Sequence, residues 1–356
     1  MRKYIVLLTI VVIMTAFSLR SSASEIADEY LKQFDEIVPE GLVTGDLSSS
    51  SYLGFDAMIG EAVSAVSGFC GRAGALFLIL IGGLALGAFS RGIEGKLSAV
   101  AEVGCAVLTL ASVMGPVVSV MREVQSSLSL MVKFMGGFIP IATGISYASG
   151  SVSSAAREAM GMNLLLSFLG WLCEPFFISL SGFGLCVGVI AALGEGDLGS
   201  FAGGVKKFFG WVIGITCALI MGMMSLQSLV ASATDSARMR AAKYAAGSLI
   251  PVVGNTVSGA LGTLVGGLSY AKSMVGAGGV FIMTGLVITP LIMLLLYRTA
   301  ISASLALSDY LGVSTVSRAY SSLVHGFDVF IAVYAVAAIL CIFEISLFAV
   351  WGVAEL

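Results

Sequence analysis

Four ionisable residues stand where the surrounding sequence is apolar: Glu102, Lys133, Glu174 and Glu344. A charge inside hydrocarbon is costly, so such residues pair with one another or face a cavity, and they mark paths for protons or ions. Glu174 carries the strongest expectation of function. Pro175 follows it, and a proline inside a helix frees a backbone carbonyl that lipid cannot satisfy. Glu102 and Glu344 also have a plainer reading, Glu102 near a membrane interface and Glu344 reaching toward one. Lys133 is a candidate partner for these acids.

Other chemistry is poorly provided for. The run Gly276-Ala277-Gly278-Gly279 lacks the Gly-Lys-Ser/Thr ending of a phosphate-binding loop. His325 is the only histidine and has no nearby carboxylate and serine constellation. There is no H-E-x-x-H or G-x-S-x-G motif. The six cysteines (Cys70, Cys105, Cys173, Cys186, Cys217, Cys341) are widely spaced in apolar sequence without a CxxC pair, which reads as buried thiols, not a zinc site. We expect no catalytic residue, no metal and no cofactor.

The elements that hold the four charges follow from composition. The chain is 58% hydrophobic and 11% charged, against about 25% charged in a soluble domain. So little charge cannot cover a water-facing surface, and a soluble enzyme is excluded. Nine of the 21 acids lie between Glu25 and Glu61, with Lys32 the single cation there. No Lys/Arg cluster with interleaved aromatics occurs, so nucleic acid is not an expected partner.

Residues 1–23 read as a secretory signal, with Arg2 and Lys3 before an apolar stretch from Tyr4 to Phe17 and small residues at Ser21 and Ala23. An uncleaved first span is the alternative. Residues 24–60 form an acidic exported lead. Beyond it the apolar runs 73–90, 98–121, 159–193, 207–233, 275–297 and 329–352 are each long enough to cross a bilayer. Two weaker runs, 131–149 and 248–269, are rich in small and hydroxyl residues. Crossing by all eight puts Arg91, Lys96, Arg157, Arg238, Arg240, Lys243, Arg298 and Arg318 in cytoplasmic loops. Arg122, Lys206, Lys207 and Lys272 then fall in outer loops, a distribution that favours eight spans.

The two weak runs resemble each other. Gly136-Gly137-Phe138-Ile139-Pro140-Ile141 aligns with Gly247-Ser248-Leu249-Ile250-Pro251-Val252, each after a Lys-aromatic pair, and each half carries a further proline, Pro175 or Pro290. Pro140, Pro175, Pro251 and Pro290 are therefore candidate hinges. The expected fold is an all-α polytopic membrane protein of about eight transmembrane or half-membrane helices. After two first helices in 61–127 comes a three-segment unit at 128–233, repeated at 234–356. Three crossings per unit invert the second copy. The pairs Gly83/Gly87, Gly210/Gly214 and Gly262/Gly266 suit close helix packing and permit a homo-oligomer.

The densest polar feature joins the two units, Thr234-Asp235-Ser236-Ala237-Arg238-Met239-Arg240-Ala241-Ala242-Lys243-Tyr244. Asp235 suits a helix cap, and Arg238, Arg240 and Lys243 suit either a topology anchor or a docking surface for a partner. The run from Thr234 to Gly254, Thr-Asp-x-x-x-x-Arg-x-Ala-Lys-aromatic-x-x-Gly-x-x-Ile-Pro-Val-x-Gly, resembles the stage III sporulation protein AE family of endospore-forming bacteria. The resemblance implies a multi-pass protein of the mother-cell membrane around the forespore, a non-enzymatic, permease-like core of the sporulation channel complex. It further implies partners from the stage III sporulation A operon, including a secretion-type ATPase and ring-forming membrane proteins. A stand-alone transporter using a membrane-embedded Glu and a recruiting scaffold are the alternatives.

Overall fold

The structure, a computed structural model, describes residues 55–90, 92, 96–171, 198–249 and 254–350. The signal, most of the acidic lead, Glu174, Pro175, Pro251 and the cysteines Cys173 and Cys186 lie outside these residues. The described chain is entirely helical apart from short turns: α1 Phe55–Ser90, α2 Lys96–Ala148, α3 Val152–Trp171, α4 Leu198–Leu249, α5 Gly254–Tyr310 and α6 Ser314–Val350. Five of them, α1, α2, α4, α5 and α6, are long and apolar enough to cross a membrane.

The helices are longer than the apolar runs that compose them. Runs 98–121 and 131–149 join in α2, and 275–297 joins much of 248–269 in α5, with no turn between. At 1.5 Å per residue, the 53 residues of α2 extend about 80 Å, well beyond a bilayer core of about 30 Å. The loops expected to hold Arg122, Arg157, Lys272 and Arg298 are accordingly absent: these residues lie inside α2, α3, α5 and α5. The reason is local. Nothing in 122–130 or 270–274 breaks a helix, so charge alone was a poor marker of a loop.

Chain reversal occurs where glycine permits it. Gly150 (φ 79°) and Gly312 (φ 71°) adopt left-handed backbone between α2 and α3 and between α5 and α6. Each turn carries the same closing bonds: Ser151 N–H donates to Ser146 O at 3.0 Å, and Val313 N–H to Ser308 O at 3.1 Å. Those bonds satisfy carbonyls that a helix end would leave unpaired.

Contacts fix the directions. From Ser127 to Phe138 along α2, partners on α5 fall from Leu286 to Gly279, so these helices are antiparallel. Partners on α6 rise from Tyr334 to Phe348, so α2 and α6 are parallel. Phe134, Phe138, Phe327, Phe348, Tyr320 and Tyr334 are fully buried at the centre. Gly83 and Gly87 allow close approach, since a Cβ at Gly83 would lie 2.0 Å from Thr109 Oγ1. Gly210 and Gly214, by contrast, meet nothing within 4 Å and face outward.

Prolines sit inside two helices, Pro116 and Pro140 in α2 and Pro290 in α5. Pro290 has no N–H for the carbonyl of Leu286, one turn earlier. That carbonyl instead accepts from Ser127 Oγ (3.3 Å) and Tyr334 Oη (3.4 Å), whose hydroxyls are 2.8 Å apart. The defect in α5 is thus satisfied by α2 and α6, and it ties the three helices together.

Candidate functional site: a buried ionic cluster

Four ionisable side chains converge between α3, α5 and α6. Glu158 and Glu344 are fully buried, and Arg157 and Lys272 are 7% and 4% exposed. Lys272 Nζ donates to Glu158 Oε1 at 2.7 Å, and Arg157 reaches Glu158 Oε1 and Glu344 Oε1, each at 3.3 Å. Ser146 Oγ of α2 donates to Glu158 Oε2 at 2.6 Å. The Lys272 ammonium also lies 4.9 Å from the centre of the Phe348 ring, a favourable placement for a cation in a desolvated site.

Local sequence explains the convergence. On α3, Glu158, Gly161, Met162 and Leu165 recur at the spacing of one helix face, and all are buried. On α5, Leu268, Ala271 and Val275 flank Lys272 on the buried side. Gly161 leaves room for Glu344, because a Cβ there would stand 2.9 Å from Glu344 Oε1. Two acids and two bases make the cluster formally neutral, which is how charges persist in a low-dielectric interior.

The two acids are not equivalent. Glu158 accepts from Lys272, Arg157 and Ser146, using both oxygens. Glu344 Oε2 is buried without a hydrogen-bond partner among the described residues. An arrangement of this kind can hold helices in register, and its under-coordinated carboxyl offers a place for a proton.

The sequence-selected residues divide as follows. Glu344 belongs to the cluster. Glu102 does not: half-buried on α2, its Oε1 accepts from Thr315 N–H at 3.0 Å and so caps the start of α6. Lys133 is exposed on α2, away from the cluster. Pro140 is exposed and the helix continues through it, with Thr143 Oγ1 donating to the carbonyls of Ile139 and Pro140.

The polar segment 234–244 is part of α4. Asp235 caps a different helix from its own, accepting from Ser153 N–H (3.0 Å) and Ser154 N–H (2.7 Å) at the start of α3. Arg238 donates to Ser153 Oγ at 3.0 Å, Arg240 is exposed, and Lys243 lies on the same helix. Sequence reasoning missed Arg157, Glu158 and Lys272 as site residues, having placed Arg157 and Lys272 in loops. The apolar spacing around each was the available signal.

Comparison with known proteins bears on this architecture. The sequence profile of a family described as stage III sporulation protein AE matches residues 32–352. The chain belongs to the stage III sporulation protein AE family. A relative named stage III sporulation protein AE, from Bacillus subtilis (strain 168), is 24% identical over 170 residues. That match covers 48% of this chain and 43% of the relative, so it spans less than half of either. No solved structure matches. Family membership and the five long apolar helices together make this chain a membrane component of the stage III sporulation system.

Proposed function

We propose that the protein is the permease-like core of the sporulation channel complex, set in the mother-cell membrane around the forespore and required for late forespore development. The observation that carries this reading is the buried neutral cluster of Arg157, Glu158, Lys272 and Glu344 inside a bundle of membrane-length helices. Four desolvated charges are an expensive way to join helices, and in membranes such groups accompany transport paths.

The architecture also supports an inverted repeat, with units α1–α3 and α4–α6 in place of the boundaries drawn from sequence. In each unit a long central helix, α2 or α5, ends at a left-handed glycine and leads into the third helix. The central helices run in opposite directions, as inverted units require. On this reading the exposed Arg240 of α4 and its neighbour Lys243 offer a docking surface to a secretion-type ATPase or its adaptor. The ring-forming proteins of the same operon complete the complex.

A clean deletion tests the proposal. Forespore development should stop after engulfment with membranes intact, and normal heat-resistant spores would contradict it. Glu344 Oε2, without a hydrogen-bond partner among the described residues, favours one competing reading, a stand-alone transporter coupled through that carboxyl. Purified protein alone would then drive gradient-dependent uptake in proteoliposomes and lose it in Glu344→Gln; no uptake by the wild type would dismiss that reading.

A further inference from the structure

Around the buried cluster the helices are joined in two different ways. α5 and α6 meet without help from charge. A Cβ at Gly276 would lie 2.4 Å from Ala349 Cβ, and one at Gly279 would lie 3.0 Å from Ile345 Cγ2. The two glycines therefore let α5 and α6 approach closely along the stretch that carries Lys272 and Glu344. Between α3 and α6 the cluster supplies a single hydrogen bond among the described residues, from Arg157 Nη1 to Glu344 Oε1 at 3.3 Å. Glu158 ties α3 to α5 through Lys272 and to α2 through Ser146.

That single tie ends on a carboxyl with a spare oxygen. Glu344 is fully buried, and its Oε2 has no hydrogen-bond partner among the described residues. Both oxygens lie against Gly161, where α3 has no side chain and a Cβ would stand 2.9 Å from Oε1 and 3.8 Å from Oε2. The charged groups around the carboxyl are Arg157 and Glu158 on α3 and Lys272 on α5. From α2 comes the Ser146 hydroxyl, while Asp235 and Arg238 of α4 are engaged at the start of α3. Glu158 has donors on both oxygens, so a proton there would displace one of them. A proton on Glu344 Oε2 displaces nothing.

We infer that Glu344 Oε2 is a proton-binding site and that its occupancy sets how firmly α3 is held to α6. A proton from water adds to Oε2, the carboxylate becomes a neutral acid, and the cluster gains one positive charge. The contact from Arg157 then changes from a charge-assisted hydrogen bond to an ordinary one, roughly half as strong. The guanidinium is left to Glu158, its other acceptor at 3.3 Å. α3 loosens from α6 at this level, while α5 and α6 stay joined through Gly276 and Gly279. Acid thus weakens one interface and spares its neighbour. Neither step depends on what crosses the membrane.

Backbone amide exchange of the purified full chain tests this, with each rate divided by that of an unstructured amide at the same pH. The range runs from about pH 5 to about pH 9, within which buried carboxyls can titrate. Amides of α3 from Met160 to Leu165 should open at least about fivefold more often at the acid end, the factor expected when a charge-assisted bond becomes a neutral one. Amides of α5 from Val275 to Met283 should change less than about twofold. In Glu344→Gln, α3 should exchange at the fast rate at every pH. Exchange of α3 in the wild type that does not vary with pH would overturn the site, whether or not the variant folds. The same pH response in Glu344→Gln would assign the proton to another group and overturn it as well. Equal loosening of α5 would overturn the selective release of α3. Spore formation by the deletion strain is untouched by these outcomes, so a failure here is distinct from a failure of the functional reading.

Discussion

Two sets of charges lie within the helix bundle, and they are treated in opposite ways. Arg157, Glu158, Lys272 and Glu344 face inward, are buried, and balance to zero within the chain. Arg122 and Lys133 face outward, are exposed, and have no ion-pair partner among the described residues. The inward set is completed by the fold itself, so its first duty is to fix α3, α5 and α6 against one another. The outward set contributes little that the fold requires.

This contrast gives ordered predictions. The largest effect is expected for Arg157→Met, which leaves Glu158 and Glu344 without their shared guanidinium. Removing one partner of a buried pair costs about 3–5 kcal/mol, so the protein should fall to a small fraction of its wild-type level in membrane immunoblots. Glu158→Gln should follow closely, because three donors converge on that carboxylate. Glu344→Gln should cost clearly less, since Glu344 holds a single 3.3 Å bond. Equal losses at 158 and 344 would break the ranking. Gly161→Ala should cost about 1–3 kcal/mol by crowding Glu344 Oε1, read as a lower midpoint of detergent-solubilised thermal unfolding. Tyr334→Phe, which removes a donor to the carbonyl freed by Pro290, should cost about 1–2 kcal/mol in the same assay. Arg122→Gln and Lys133→Gln should leave the midpoint within about 0.5 kcal/mol, as exposed substitutions do, and any effect they have should appear in function.

The helical, membrane-length character of the chain was legible in its sequence, because apolar runs of that length with so few charges have no other stable form. The family was legible in the residues from Thr234 to Gly254. Continuity was not. A charge such as Arg122 or Lys272 between two apolar runs reads as a loop, yet neither breaks a helix, and both remain inside one. Glu344 was found from sequence by its depth, whereas Arg157 and Glu158 were missed because two adjacent charges look like a polar terminus. Only the packing of α3 against α5 and α6 shows them to be interior. Asp235 was identified as a cap, but the helix it caps belongs to a distant part of the chain, which local sequence cannot specify.

The most direct measurement is the yield of heat-resistant spores from a strain that lacks the protein, with the integrity of the forespore membranes followed alongside. Our account predicts a severe loss of spores, with development stopped after engulfment and the membranes intact. Wild-type spore yield from the same strain would contradict it.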